Sequence, residues 1–336
     1  MPEPLPSIVP KRSTASPEAA MLHPRPITDG ARRFVRLAWA TTAYTLFVIV
    51  WGGFVRASGS GAGCGDHWPL CNGQVVPRTP AMSTLIEFGH RLTSGLLILL
   101  IGYLAYLAWR TFAKGHPARR ATGFVVLFVL TEALIGAGLV LFEYVAYNAS
   151  FARAYWMAAH LTNTLLLLGA LTLTIWYGAG GGRLRWRRGA GTLAAALAGT
   201  TILGAGGAVT ALGDTLVLGG GIDPETDPVV ATLIAARIYH PTMAFVALAL
   251  VAWAVLAGRR AAPAAGSLGL VVLGLYLAQM LIGAVNVWLM APVWIQMVHL
   301  LMTDFIWMGL IFFAAQVLSC TPVTKRPAEQ LSLATA

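Results

Sequence analysis

The chain has 336 residues, of which 57% are hydrophobic and only 11% charged, and its formal net charge is +10. With a mean hydropathy of +0.71, it holds more apolar surface than a soluble domain can hide, so the composition describes a polytopic membrane protein. The charge does not make it a nucleic-acid binder, because the basic residues sit in short connections and tails with no polar domain to carry a groove.

Residues 1–33 hold seven prolines and little apolar periodicity, and read as a disordered cytoplasmic tail. Eight apolar segments follow, each about 20 residues or longer as a bilayer requires. They lie at 34–56, 83–112, 119–142, 154–177, 189–211, 229–257, 266–290 and 292–318. The expected fold class is all-α, with eight transmembrane helices. The first segment is too long for a signal-peptide core and no small-residue cleavage site follows it, so it is expected to remain as an anchor. With eight spans, the basic residues of the tail, Arg110 to Arg120, Arg183 to Arg188, Arg259, Arg260, Lys325 and Arg326 share one side. The opposite loops hold Asp66, Glu143, Asp214, Asp223, Glu225 and Asp227. A basic excess marks the cytoplasmic side, which places both termini there and the loop after the first span outside.

The chain reads as duplicated. Gly52-Gly53-Phe54-Val55 resembles Gly206-Gly207-Ala208-Val209, and Leu134-Ile135-Gly136-Ala137 recurs as Leu281-Ile282-Gly283-Ala284. Four spans per half give both repeats one orientation, related by a pseudo-twofold along the membrane normal.

Four histidines, His90, His160, His240 and His299, lie inside apolar spans, all of them even-numbered. At ~1.5 Å per residue they sit ~10–16 Å below the outer end, in one layer. An ionisable side chain at that depth is a functional candidate. A lone membrane histidine is more often an interhelical hydrogen bond. Four at matched depth point instead to axial ligation of two haems, His90 with His160 and His240 with His299. Zinc or copper would favour clustered ligands rather than a spread over two halves. His23, His67 and His116 lie outside the spans and read as solvated.

Glu87 precedes His90 by three residues, which puts both on one helix face. Its bland readings are a carboxylate orienting His90 or one reaching the interface. The matching position before His240 is Arg237, so the two halves are not expected to do the same work. Arg237, and Arg91 in the first half, are candidates to meet haem propionates. Glu132 lies mid-span opposite Gln279 in the repeat, with its role open between function and helix joining. The outer loop carries Cys64 and Cys71, where a disulfide is expected. A structural clip and a redox-active pair beside the first site are both open. No Cys-x-x-Cys-His motif for covalent haem is present, and Cys320 reads as an apolar filler.

At these residues the chain resembles the haem A synthase family. The resemblance rests on the Gly-Ser-Gly…Cys64…Trp68-Pro69-Leu70-Cys71-Asn72-Gly73 loop, on Glu87-x-x-His90-Arg91, and on the histidines of spans four, six and eight. It covers about residues 34–318. It implies two four-helix bundles, 34–177 with a substrate haem on His90 and His160, and 189–318 with a resident haem b on His240 and His299. Residues 178–188 form a basic cytoplasmic linker and 319–336 a cytoplasmic tail. The implied activity is oxidation of the C8 methyl of haem O to a formyl group, giving haem A for cytochrome oxidase assembly in a bacterial plasma membrane. Glu87 then matches the catalytic acidic residue, and Cys64 and Cys71 the outer-loop pair. A second cysteine pair found in some members is missing after Gly213-Asp214. Expected partners are haem O, the farnesyltransferase that makes it, an electron or thiol-redox partner and membrane lipid; a homo-oligomer is compatible. The competing reading is a two-haem membrane cytochrome b that carries electrons, which needs neither Glu87 nor the cysteine loop. A transporter, the other rival, would be colourless.

Overall fold

A computed structural model describes residues 28–187 and 189–319. The expectations about His23, Arg188, Cys320, most of the first tail and the C-terminal tail lie outside them. Eight helical segments of 25 to 34 residues are apolar enough to cross a membrane, and no strand occurs among the described residues. They are α1 (Asp29–Ala57), α2 (Met82–Thr111), α3 (Pro117–Leu141), α4 (Phe151–Gly178), α5 (Ala190–Asp214), α6 (Pro228–Ala235) with α7 (Tyr239–Ala261), α8 (Gly266–Trp288) and α9 (Val293–Ser319).

Local chemistry sets the ends. Thr28 Oγ1 accepts from Ala31 N and starts α1 at Asp29 rather than at residue 34. Asp227 caps α6 by accepting from Val229 N and Val230 N, with Pro228 at the first helical position. His116 is not simply solvated, since its Nδ1 accepts from Ala118 N to cap α3 and its ring stacks on Phe112.

The sixth span departs from a continuous helix. A 3₁₀ turn at Ala236–Ile238 separates α6 from α7. The cause is Pro241, which lacks an N–H for the carbonyl of residue 237 and whose ring crowds it. The apolar residues on both sides of the break make the segment read as one span.

In the first half α1 packs on α2 and α4, and α3 on α2 and α4, closing a four-helix bundle. In the second, α5 packs on α7 and α9, and α8 on α7 and α9. The bundles meet through α4 with α9, α4 with α5, and α1 with α9. A twofold that exchanges α1 with α5 and α4 with α9 maps this interface onto itself, as the internal repeat requires. Trp307 Nε1 donates to Leu165 O across it at 2.6 Å.

The two larger packed cores lie toward one end of the bundles, and a smaller one of Ala154, Leu212, Leu216, Val230 and Leu233 lies at the other. Phe34, Ile101, Leu104, Val125, Leu168 and Leu171 fill the first bundle toward the basic end. Leu193, Val251, Val255, Val272, Leu310 and Phe313 do so in the second. All four span histidines lie on the cysteine-loop side of these two larger clusters. Large apolar residues such as Leu99, Leu134, Phe245 and Leu281 are exposed, as lipid-facing positions are. Tyr155, Trp288 and Trp294 ring the cysteine-loop end, where amphipathic aromatics favour an interface.

Candidate functional site

Each span histidine sits against a glycine of the preceding odd span. An added Cβ would lie 2.9 Å from His90 Cε1 at Gly52, 3.8 Å from His160 Cε1 at Gly136, 2.9 Å from His240 Cε1 at Gly207 and 3.1 Å from His299 Cε1 at Gly283. Gly136 and Gly283 are the repeated Leu-Ile-Gly-Ala glycines. The Gly-Gly pairs also recur, but with a shift: the first glycine faces the imidazole in α1 and the second in α5. The Nδ1 atoms of all four are buried and have no hydrogen-bond partner.

In the second bundle the two histidine rings lie against each other. His240 and His299 have centroids 6.5 Å apart with planes at 69°. Two imidazoles on opposite sides of one metal, each bonded at ~2 Å, place their centroids about 6 Å apart, so the second pair fits a bis-histidine haem. His90 and His160 sit on their own glycines, Gly52 and Gly136, in the first bundle. Among the described residues no three His, Cys, Asp or Glu side chains gather as a metal cluster; the donor set is pairwise.

We expect Gly52→Ala to displace the His90 ring and Gly207→Ala the His240 ring, since a Cβ–carbon approach of 2.9 Å is an overpacking that costs about 1–3 kcal/mol. Haem-to-protein ratios should fall at one site in each variant, read from the absorption spectrum of the purified protein.

The first site carries a carboxylate three residues before its α2 histidine, where the second has Arg237. Glu87, 3% exposed, accepts from Cys64 N at 2.8 Å through Oε2, and from Arg91 Nη2 at 2.5 Å and Nε at 3.1 Å through Oε1. It does not bond His90. Arg91 Nη1 donates onward to the carbonyls of His67 and Leu70. The cysteine loop is therefore fastened to α2 through the same residues that hold Glu87. Thr84 Oγ1 donates to Gly63 O at 2.7 Å, and only glycine fits at 63, where a Cβ would fall 2.4 Å from the Ser83 carbonyl. Cys64 and Cys71 form a disulfide with Cα atoms 4.4 Å apart, both fully buried. His67 is half-exposed beside Asp66, at 3.2 Å.

In the second half Arg237 sits at the helix break, 3.0 Å from Asp214 Oδ1. Each collar thus holds one carboxylate and one guanidinium, Glu87 with Arg91 in the first and Asp214 with Arg237 in the second, but only in the first does the carboxylate sit one turn before the histidine.

Sequence reasoning missed the polar link between the bundles. Arg56, one turn beyond Gly52, donates to Ala211 O at 2.8 Å, Thr215 Oγ1 at 2.7 Å and Gln296 Oε1 at 2.7 Å. Gln296 is three residues before His299, so Arg56 joins the collar of the first site to that of the second. Its partners are far away in sequence, and only its place beside the repeated glycines marked it. Arg56→Ala should strip these acceptors and destabilise the fold by about 1–3 kcal/mol, read by denaturation in micelles. Arg153, 2% exposed, donates to Asn148 O and was likewise unmarked.

The family model described as cytochrome oxidase assembly protein (COX15-CtaA) matches residues 35–311. A protoheme IX farnesyltransferase of Thermus thermophilus is 44% identical over 301 residues, covering 87% of this chain and 49% of that relative. A heme A synthase of Alkalihalophilus pseudofirmus is 40% identical over 102 residues, 30% of this chain and 34% of the relative. One from Halalkalibacterium halodurans is 37% identical over 131 residues, 39% and 43% of the two chains. The chain spans about half the length, or less, of these curated relatives. The family match reaches into all eight membrane helices and takes in both histidine pairs, Glu87 and the cysteine loop, and the chain belongs to the cytochrome oxidase assembly protein family.

Proposed function

We propose that this protein is a haem A synthase, oxidising the C8 methyl of haem O to a formyl group. The observation that carries the reading is the histidine layer: four imidazoles at one depth, each ring seated on a glycine of the preceding odd span, with the His240 and His299 rings 6.5 Å apart. His90 and His160 hold the substrate haem, and His240 and His299 hold a resident haem b. When bound, the resident haem supplies a one-electron carrier. Relatives named heme A synthase support the substrate class. The relative named protoheme IX farnesyltransferase supports, as a partner, an enzyme that makes haem O.

Converting a methyl to a formyl group with the oxygen of water releases four electrons and four protons (R–CH3 + H2O → R–CHO + 4 H+ + 4 e−), so the site needs an external electron acceptor, which the resident haem can only relay to, and a proton acceptor. Glu87 is the proton acceptor in this reading, or stabilises positive charge at the oxidised carbon. Its oxygens are held by the Cys64 N–H and by Arg91, so the carboxylate is fixed one turn from His90 before substrate arrives. Arg237, and Arg91 at the first rim, offer guanidinium charge to the haem carboxylates. The buried disulfide acts as a clip that sets Cys64 N under Glu87; exchange with a thiol partner requires the loop to lift. Both termini lie in the cytoplasm, with the cysteine loop outside. An electron-carrying cytochrome b does not need the Glu87–Cys64 coupling, which favours the synthase.

The test is expression with and without a haem O source, followed by haem extraction and mass analysis. Haem A together with haem B is expected when the source is present. Haem B alone under both conditions contradicts the proposal.

A further inference from the structure

The two bundles differ at a second repeated position, behind a histidine rather than beside it. On α3, Glu132 Oε2 accepts from Asn163 Nδ2 at 2.5 Å, and Oε1 accepts from Thr164 Oγ1. Thr164 also donates to His160 O, and Asn163 donates to Phe128 O. These bonds hold the carboxylate against α4, with Oε1 3.4 Å from His160 Nδ1, off the line of a hydrogen bond. That Nδ1 is buried and makes no other bond. A small rotation of the ring joins the two atoms.

The repeat supplies an internal control. Gln279 occupies the matching place on α8, as Thr303 matches Thr164 and His299 matches His160. Gln279 Nε2 donates to His299 O at 2.8 Å and to Thr303 Oγ1 at 2.7 Å. Its amide therefore addresses the backbone of the histidine, not the ring. Its Oε1 is buried and unpartnered. The scaffold is the same in both halves, and only the first presents a carboxylate to an imidazole.

We infer that Glu132 is a positioning residue that accepts the Nδ1 proton of His160, fixing the tautomer that leaves Nε2 free for iron and making His160 a stronger donor than His299. A carboxylate behind an imidazole ligand raises its basicity. A more basic axial ligand stabilises the oxidised iron over the reduced one, so the haem of the first pair has the lower reduction potential. This inference rests on the reading that His160 ligates haem.

The test is redox titration of the purified, haem-loaded protein, followed optically, for wild type, Glu132→Gln and Glu132→Asp. In wild type the first-site haem is expected to titrate at a lower potential than the second. Glu132→Gln, which keeps the side-chain volume, should raise the first-site potential toward that of the second and leave the second in place. Glu132→Asp, whose carboxylate is drawn back by one methylene, should give an intermediate shift. A merely structural role would change haem content or helicity without moving the potential of the haem that remains. His160→Ala separates the two claims. If it abolishes the six-coordinate spectrum of the first site while Glu132→Gln leaves the potential unmoved, ligation stands and the inference is overturned. If it leaves that spectrum intact, ligation fails and the inference falls with it.

Discussion

Glu87→Gln is expected to lower haem A production by about 10²–10⁴-fold, the usual worth of a positioned acid or base, with haem content and the disulfide unchanged. Glutamine keeps an acceptor for the Cys64 N–H but cannot take a proton or pair with the Arg91 guanidinium. The confounding outcome is loosening of the loop, because Glu87 and Arg91 hold it together. Arg91→Gln resolves this. It frees the His67 and Leu70 carbonyls and Oε1 of Glu87 while keeping the carboxylate itself and its Cys64 N–H contact, so loop loosening alone should depress turnover at least as much in Arg91→Gln as in Glu87→Gln. A deeper loss in Glu87→Gln assigns the effect to the carboxylate. Product haems separated by chromatography give the readout, and unchanged haem A in Glu87→Gln removes this residue from the mechanism.

Histidine removal should act on one bundle at a time. His299→Ala is expected to strip the resident haem, a larger loss than the ~10–100-fold in affinity typical of a residue that merely supports a metal ligand. His240→Ala should do the same, because the rings stand 6.5 Å apart as one pair. Neither variant should remove haem O or haem A from the first bundle, where His90 and His160 belong to a separate set of helices. His160→Ala should show the converse, with haem B retained and haem O lost. Quantitative extraction of each haem per protein checks all three. Loss of both haems together in every variant would mean that the bundles do not hold them independently.

The spans were legible because a bilayer imposes length and apolarity on each segment, and the helices match the expected limits to within a few residues apart from longer ends on the first, fifth and sixth spans, the fifth running on to Gly219. The histidine pairs were legible because ionisable groups are rare at that depth. The acid-to-base exchange between Glu87 and Arg237 was readable from the repeat alone. What escaped depended on contacts between distant segments. Pro241 was visible, yet its effect on the sixth span is a backbone matter that hydropathy does not register. The partner of Glu87 is a backbone N–H of a loop whose fold-back is set by the close approach of Gly63 to Ser83. Arg56 finds its acceptors on α5 and α9, across the bundle interface. Glu132 was seen as a mid-span carboxylate, but its direction toward His160 follows from Asn163 and Thr164 on a neighbouring helix.

The central claim is that the first bundle binds haem O as a substrate while the second keeps its own haem. The most direct measurement supplies haem O to the purified protein in a lipid bilayer with an electron acceptor and an oxygen source, and follows the extracted haems by mass. Haem O should disappear with matching appearance of haem A, while haem B stays constant. Recovery of haem O unchanged, from protein whose spectrum shows both histidine pairs loaded, would contradict the account.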